Sequence, residues 1–309
     1  MYIFIVNPIA GNGKGLKVWT KARKELDKRG IAYRSFYTKQ AGHATELAKQ
    51  LAELYKEKIT AMIAVGGDGT IHEVMNGLSK NAHIPFGAVP AGSGNDFVRG
   101  YGLPRRPLSA LNHILKRSSA SLPRYDVGVY HLGHKHKGKR YFINGIGIGF
   151  DGEVAKYTNQ ASYKRWLNTL KLGPLAYFIS ALRLLYKYQT KEVIIRVDGR
   201  EYVFSDVWLV AICNIAYYGG GMKIIPDARP NDGKLNICVI DRLKPWQVLL
   251  ALGSVYFGWH TRLKAVKLLK GEMIQVTSEE PMTVHADGEI IGTSPIVLTI
   301  EKRSRIICK

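Results

Sequence analysis

Apolar and polar positions divide the chain into two stretches of different rhythm. Tyr2-Ile3-Phe4-Ile5-Val6 is a continuous apolar run, as a strand shows when both of its faces are covered. Residues 16–29 then place Leu16, Trp19, Ala22 and Leu26 at helical spacing, with Gly30 as the stop. A second helix is predicted from near Ala44 through Leu47, Ala48, Leu51, Leu54 and Tyr55. Ala61–Val65 reads as another buried strand, and residues 70–79 as a helix carried by Ile71, Val74, Met75 and Leu78. Ile84–Val89 follows as a strand in spite of Pro85. This alternation predicts an open α/β layer on a mainly parallel sheet over residues 1–125.

After Pro123 the runs become short and rich in β-branched and aromatic residues. Val193–Val197, Tyr202–Phe204, Val207–Ile212 and Leu235–Ile240 are expected strands, with Asp198-Gly199 as a hairpin turn. Two helical intervals, near 174–187 and 245–257, interrupt them. Met273–Val276, Met282–His285 and Ile296–Ile300 close the series. The expected fold class is therefore α/β plus β. An N-terminal open α/β layer (1–125) precedes a β-rich, sandwich-like domain (126–309), whose last strand could return to the first domain.

Composition alters this picture at one point. Hydrophobic (46%) and charged (22%) contents suit a folded chain, but 45 Lys and Arg face 24 Asp and Glu, a formal net charge of +21. Such a field draws polyanions, so nucleic acid and anionic lipid are the partner classes to weigh. The basic residues are dispersed and form no recognised nucleic-acid module, so nucleic acid is not expected. The longest apolar stretches, 174–186 and 246–259, fall short of the roughly 20 residues a spanning helix needs, which limits membrane contact to the periphery. Met1–Val6 is stopped by Asn7-Pro8 and reads as a strand, not a signal peptide. Cys213, Cys238 and Cys308 lie far apart, without metal-ligand spacing, and fit a reducing cytoplasm.

The sharpest chemistry is Gly66-Gly67-Asp68-Gly69-Thr70, between a buried strand and an amphipathic helix. Glycines let a phosphate chain approach the backbone, and the helix start offers N–H groups and a positive dipole end. Asp68 would repel phosphates unless Mg²⁺ lay between them. A glycine turn capped by Asp and Thr is the structural alternative. Two further loops, Asn7-Pro8-Ile9-Ala10-Gly11-Asn12-Gly13-Lys14-Gly15 and Pro90-Ala91-Gly92-Ser93-Gly94-Asn95-Asp96, also follow predicted strands. Ligands of open parallel sheets bind beyond the carboxyl ends of the strands, where all three loops would sit.

Together with Asn144-Gly145-Ile146-Gly147-Ile148-Gly149-Phe150-Asp151, Asp232-Gly233-Lys234-Leu235 and Asp287-Gly288-Glu289, these loops resemble the bacterial soluble diacylglycerol kinase-like lipid kinases, relatives of sphingosine and ceramide kinases. The resemblance implies ATP as phosphoryl donor, Mg²⁺, and a lipid alcohol such as diacylglycerol as acceptor. It assigns Asn7, Ala10, Gly11, Asn12, Gly13, Thr38, Gly66, Gly67, Asp68, Gly69, Thr70 and Ser93 to the nucleotide. Thr38 could instead cap the helix that follows it. Asp68, Asp96 and Asp126 match acidic positions linked to the catalytic Mg²⁺ through water, although Asp96 could cap a turn and Asp126 could simply end a strand. The Asp-Gly-Glu motif implies Glu289 as base, with Asp287 the alternative, on what is also a hairpin turn.

Arg229, Asp232 and Lys234 match a second, structural metal site, helped by Asp227; by residue type alone Asp232-Gly233 is a hairpin turn. His131, His134 and His136 are read as a basic hairpin tip, since no carboxylate or cysteine completes a metal site. Residues 174–187 and the group Trp246, Tyr256, Phe257 and Trp259 could face membrane or core. A soluble-metabolite kinase of NAD kinase type is the alternative activity. The expected partner is a lipid substrate at the inner face of the membrane, and the resemblance allows a homodimer.

Overall fold

The computed structural model describes residues 1–116, 122–133, 139–160 and 173–309. The chain divides into two units: Met1–Val127 with Lys302–Lys309, and Gly128–Glu301. The fold is an N-terminal α/β layer followed by a β-rich unit, and each is described by itself.

In the first unit, strands β1 (Tyr2–Val6), β2 (Tyr33–Tyr37), β3 (Ala61–Gly66) and β4 (Phe86–Pro90) form a parallel sheet in the order β2-β1-β3-β4. Helices α1 (Ala10–Lys28), α2 (His43–Tyr55) and α3 (Asp68–Gly77) connect them, and α4 (Asp96–Gly100) and α5 (Pro107–Lys116) follow β4. The central strands are apolar throughout because helices cover both faces; Ile3 to Val6 and Met62 to Val65 are fully buried. Trp19, Ala22 and Leu26 pack on Phe4, Val6 and Ile63. Gly30, at φ +62, ends α1 as expected.

The helical stripes are narrower than their spacing predicts. Leu16 and Leu54 are exposed, and Ala44 and Ala52 take up the inner face of α2 instead. β2 was not foreseen. It is an edge strand, Tyr-Arg-Ser-Phe-Tyr, buried only in part, so it lacks the apolar run that marks its neighbours.

The second unit is built on β5 (Arg124–Leu132), β6 (Arg140–Phe142), β7 (Gly145–Gly149), β8 (Lys191–Val197), β9 (Arg200–Cys213), β10 (Leu235–Asp241), β11 (Val266–Gly271), β12 (Met273–Ser278), β13 (Thr283–Ala286), β14 (Glu289–Thr293) and β15 (Ile296–Ile306). The division between the units falls within β5 and β15. The strand order is β14-β13-β7-β9-β8-β12-β15-β5-β6, and β10 pairs with β9 and β11. Residues 202–204 and 207–212, expected as separate strands, are one strand interrupted at Asp206, which stands at φ +53. Asp198 and Gly199 turn the β8–β9 hairpin with both φ angles positive.

Helices α6 (Phe150–Gln160), α7 (Gly173–Leu185) and α8 (Pro245–Val255) lie in this unit. Phe150, Val154, Ala181, Leu185, Val248 and Val255 join Trp208, Ala211 and Ile240 in a core separate from the one between the strands. Among the described residues no helix is long and apolar enough to cross a membrane. His134 and His136 of the expected basic tip lie outside the described residues.

Two predictions follow from packing. Trp19→Ala removes a fully buried ring and its 2.9 Å hydrogen bond to Tyr37, and should cost about 3–5 kcal/mol in denaturant unfolding. All three cysteines are free and buried, and burial pushes the Cys238 and Cys308 thiols up to about 12. Iodoacetamide at mildly alkaline pH should label none of them in the native protein and all of them after unfolding.

Candidate active site

The three glycine-rich loops meet at the carboxyl ends of β1, β3 and β4, and backbone contacts hold them together. Asn7 N–H donates to Val65 O (2.9 Å), and Ala91 N–H to Gly66 O (2.8 Å). Gly67 and Gly92 face each other so closely that a Cβ on Gly92 would stand 2.5 Å from Gly67 Cα. A Cβ on Gly11 would strike the carbonyl oxygen of Ala91. The glycines are thus required by the approach of one loop to the next. Gly11, Asn12 and Gly13 all stand at positive φ inside the span of α1, so its regular turns begin only beyond them. No atom lies within 4 Å of a Cβ built on Gly13, so that loop borders open space.

Side chains complete the rim. Asn7 Nδ2 donates to Thr70 Oγ1 (3.0 Å), joining the first loop to the start of α3. Asp68 Oδ1 accepts the Phe97 amide (3.0 Å), joining the second loop to the third beside Asp96. Asn95 Nδ2 closes the third loop on Gly92 O (3.0 Å). Thr38 stands at the end of β2 on the same rim, its N–H on Val6 O. It does not cap α2, whose N-cap is Gly42. Ser93 is exposed at the tip of the third loop. All twelve residues expected at the nucleotide therefore lie on this rim or beside it.

The residues fit a nucleotide polyphosphate: paired glycines clear a path along the backbone, and α3 starts at Asp68 with its N-terminal amides beside them. The acidic positions are built differently from a closed metal cage. Asp96 and Asp126 are buried; Arg99 stands 3.5 Å from Asp96, and Asp126 accepts the Arg303 amide at 2.7 Å. Among the described residues no three His, Cys, Asp or Glu side chains converge as a metal site. Such a donor set suits Mg²⁺ held mainly by phosphate oxygens and water.

In the β-rich unit, Asp287 and Gly288 turn the β13–β14 hairpin at φ +49 and +90. The Asp287 carboxylate accepts three amides, from Ile143 (2.9 Å), Asn144 (2.8 Å) and Gly145 (3.0 Å), and its own N–H donates to Gly145 O. Glu289 follows at the start of β14 and is exposed. One carboxylate of the motif therefore anchors the turn while the other is presented by it. Arg229 and Asp232 are exposed, and Asp232 Oδ1 accepts the Lys234 amide (3.1 Å). Asp232-Gly233 is not a hairpin turn, because the preceding strand ends at Cys213.

A buried trio carries little local signal in the sequence. His285 Nε2 lies 3.1 Å from both Asp151 Oδ2 and Tyr218 Oη, and Tyr218 donates to Asp151. Gly147, opposite His285 in the β7–β13 register, leaves the space, since a Cβ there would hit all three side chains. The only available signals were Asp151 at the end of the glycine-alternating run and a histidine two residues before Asp287.

Beside the trio is a small cavity of about 40 Å³. Phe150, Trp208, Met222, Val248, Ala251 and Val255 are among its walls. The wall is almost wholly apolar: Asp151 and Tyr218 border it, yet Asp151 Oδ2 and the Tyr218 hydroxyl meet each other and His285, and Asp151 Oδ1 accepts the Gly152 amide.

A glycine-lined rim on a parallel sheet, followed by a β-rich unit carrying an exposed carboxylate, suits phosphoryl transfer. Residues 1–127 match the diacylglycerol kinase catalytic domain, and residues 144–305 match the YegS C-terminal NAD kinase beta sandwich-like domain. A Bacillus subtilis (strain 168) protein, YtlR, described provisionally as a lipid kinase, is 35% identical over 300 residues, covering 96% of each chain. The diacylglycerol kinase of the same strain is 28% identical over 293 residues, 94% of this chain and 90% of that one. A Bacillus anthracis crystal structure, provisionally described as a diacylglycerol kinase, superimposes with a TM-score of 0.78 at 26% identity, covering 99% of this chain and 94% of that one. The chain belongs to the diacylglycerol kinase-like lipid kinase family.

Gly92→Ala should force the second and third loops apart and weaken ATP binding by about tenfold or more, read by calorimetry. Asp287→Ala should strand three amides at a cost of about 1–3 kcal/mol, with faster hydrogen exchange at residues 143–145.

Proposed function

We propose that this protein is an ATP-dependent lipid kinase that phosphorylates the hydroxyl of diacylglycerol or a similar lipid, giving phosphatidic acid or an analogue. The observation that carries the lipid half of this reading is the apolar cavity of the β-rich unit, with walls suited to hydrocarbon. A soluble metabolite such as a dinucleotide would need convergent polar groups there. The likeness of the second domain to an NAD kinase sandwich lies in its fold, and the cavity favours lipid over that alternative.

In the reaction, the lipid oxygen forms a bond to the γ-phosphorus as the bridge between the β- and γ-phosphates breaks and ADP departs. Glu289 takes the hydroxyl proton. Asp287 holds the turn that presents Glu289, through the amides of 143–145. The loops at Gly11–Gly13, Gly66–Thr70 and Gly92–Ser93 hold the polyphosphate against backbone amides, fixing the donor for in-line transfer. Bound Mg²⁺, associated with Asp68, Asp96 and Asp126, supplies neutralisation of the phosphate charge. Arg229, Asp232 and Lys234 contribute a structural cation site in this reading, mainly through backbone oxygens.

The test is transfer of radiolabel from γ-labelled ATP to a panel of lipid alcohols in mixed micelles. At least one should be labelled, and Glu289→Gln should lower turnover by about 10²–10⁴-fold with ATP affinity retained. Failure to label any lipid would sink the reading, whereas labelling of a lipid other than diacylglycerol would redefine the acceptor.

A further inference from the structure

Helix α8 and the turn after it gather several exposed apolar side chains in one short segment. Pro245–Val255 contains no charged side chain, in a chain of net charge +21. One face of the helix is committed inward, where Val248, Ala251 and Val255 wall the apolar cavity. The other side leaves Trp246 54% and Leu250 67% exposed. The chain then presents Phe257 (65%) and Trp259 (59%), their rings stacked at 5.0 Å, at the entry to a 3-10 turn over Trp259–Arg262. Exposed aromatic and leucine side chains gathered on one helix and its following turn mark an interaction surface.

Charge identifies the partner. Between Lys244 and Gly271 there are five basic side chains, Lys244, Arg262, Lys264, Lys267 and Lys270, and no Asp or Glu. Lys267 and Lys270 lie on β11, which among the described residues pairs with β10; Lys267 Nζ donates to Lys264 O (2.8 Å) and Lys270 is exposed on the opposite face of the strand. A second copy of this chain, itself strongly cationic, would bring positive charge against this positive segment. An anionic bilayer offers the complement to both features: headgroups for the basic side chains, and a headgroup–acyl boundary in which Trp, Phe and Leu are stable.

We propose that Lys244–Gly271 is the membrane-docking face of this protein. Trp246, Leu250, Phe257 and Trp259 enter the boundary region of an anionic membrane, and the flanking lysines and Arg262 engage its headgroups. Helix α8 then lies between bilayer and cavity, with Val248, Ala251 and Val255 on the cavity side. The purpose of this face rests on the lipid-kinase reading, but its test does not.

Flotation is measured without ATP or acceptor, on phosphatidylcholine vesicles with and without phosphatidylglycerol. The protein should partition about tenfold more strongly to the anionic vesicles. Trp246→Ala with Trp259→Ala, and separately Lys264→Glu with Lys267→Glu, should each lower that partitioning by about tenfold. The control reversal Lys21→Glu with Lys24→Glu, on exposed positions of α1, should change it by less than about threefold, although it removes the same charge. Thermal melting establishes that each variant is folded, and brominated lipids should quench the tryptophan fluorescence of the native protein but not that of the Trp246/Trp259 variant. Equal losses from the two charge reversals would overturn the proposal, since net charge alone would then explain binding. Sedimentation showing that the tryptophan pair converts a dimer to a monomer, with flotation unchanged, would overturn it in favour of a second copy. Loss of lipid phosphorylation with flotation as described would count against the kinase reading and leave this face standing.

Discussion

The glycine-lined rim depends on two backbones passing within contact distance of each other. Gly67 and Gly92 belong to loops after different strands; a Cβ on Gly92 would drive Gly67 away, and one on Gly67 would press on Gly92 at 3.1 Å. That approach lets the Ala91 amide reach Gly66 O and lets Asp68 reach the Phe97 amide, so the second and third loops behave as one piece. The first loop is tied in by Asn7 on Thr70 and by Gly11 against Ala91. A polyphosphate seated there, as proposed, would meet donors fixed before it arrives, because short contacts among glycines hold the loops without side chains in the way.

The β-rich unit reaches the same end by other means. Its Asp-Gly-Glu turn is fastened to the start of β7 by Asp287, which satisfies three consecutive amides, while Asp151, Tyr218 and His285 join β13 to α6 and to the chain beyond β9. Carboxylates this well paired, Asp151 buried and Asp287 half-buried, are costly to disturb, and Asp287 places Glu289 at the end of a fastened hairpin. Turning the polar atoms of Asp151 and Tyr218 toward His285 also keeps the neighbouring cavity apolar.

Much of this was legible in the sequence because it is local. Three glycine loops after apolar strands, the Asp198-Gly199 turn and the change of rhythm near residue 125 each depend on a few adjacent residues. What escaped depends on partners distant along the chain. β2 is an edge strand whose half-buried residues carry no periodic signal, and Leu16 and Leu54 obey helical spacing yet face water. Asp287 looked like a possible base by its motif, but its role as an anchor emerges only from amides more than 140 positions away. The Asp151–Tyr218–His285 trio likewise spans three separate segments and is permitted by the missing Cβ of Gly147.

The most direct measurement is a crystal structure with Mg²⁺ and a non-hydrolysable ATP analogue. The account predicts phosphates seated on the backbone amides of Gly66–Thr70 and Gly92–Ser93, bordered by Gly11–Gly13, with the metal reached from Asp68 through water. A nucleotide bound elsewhere, or phosphates turned away from the Gly67–Gly92 contact, would contradict it.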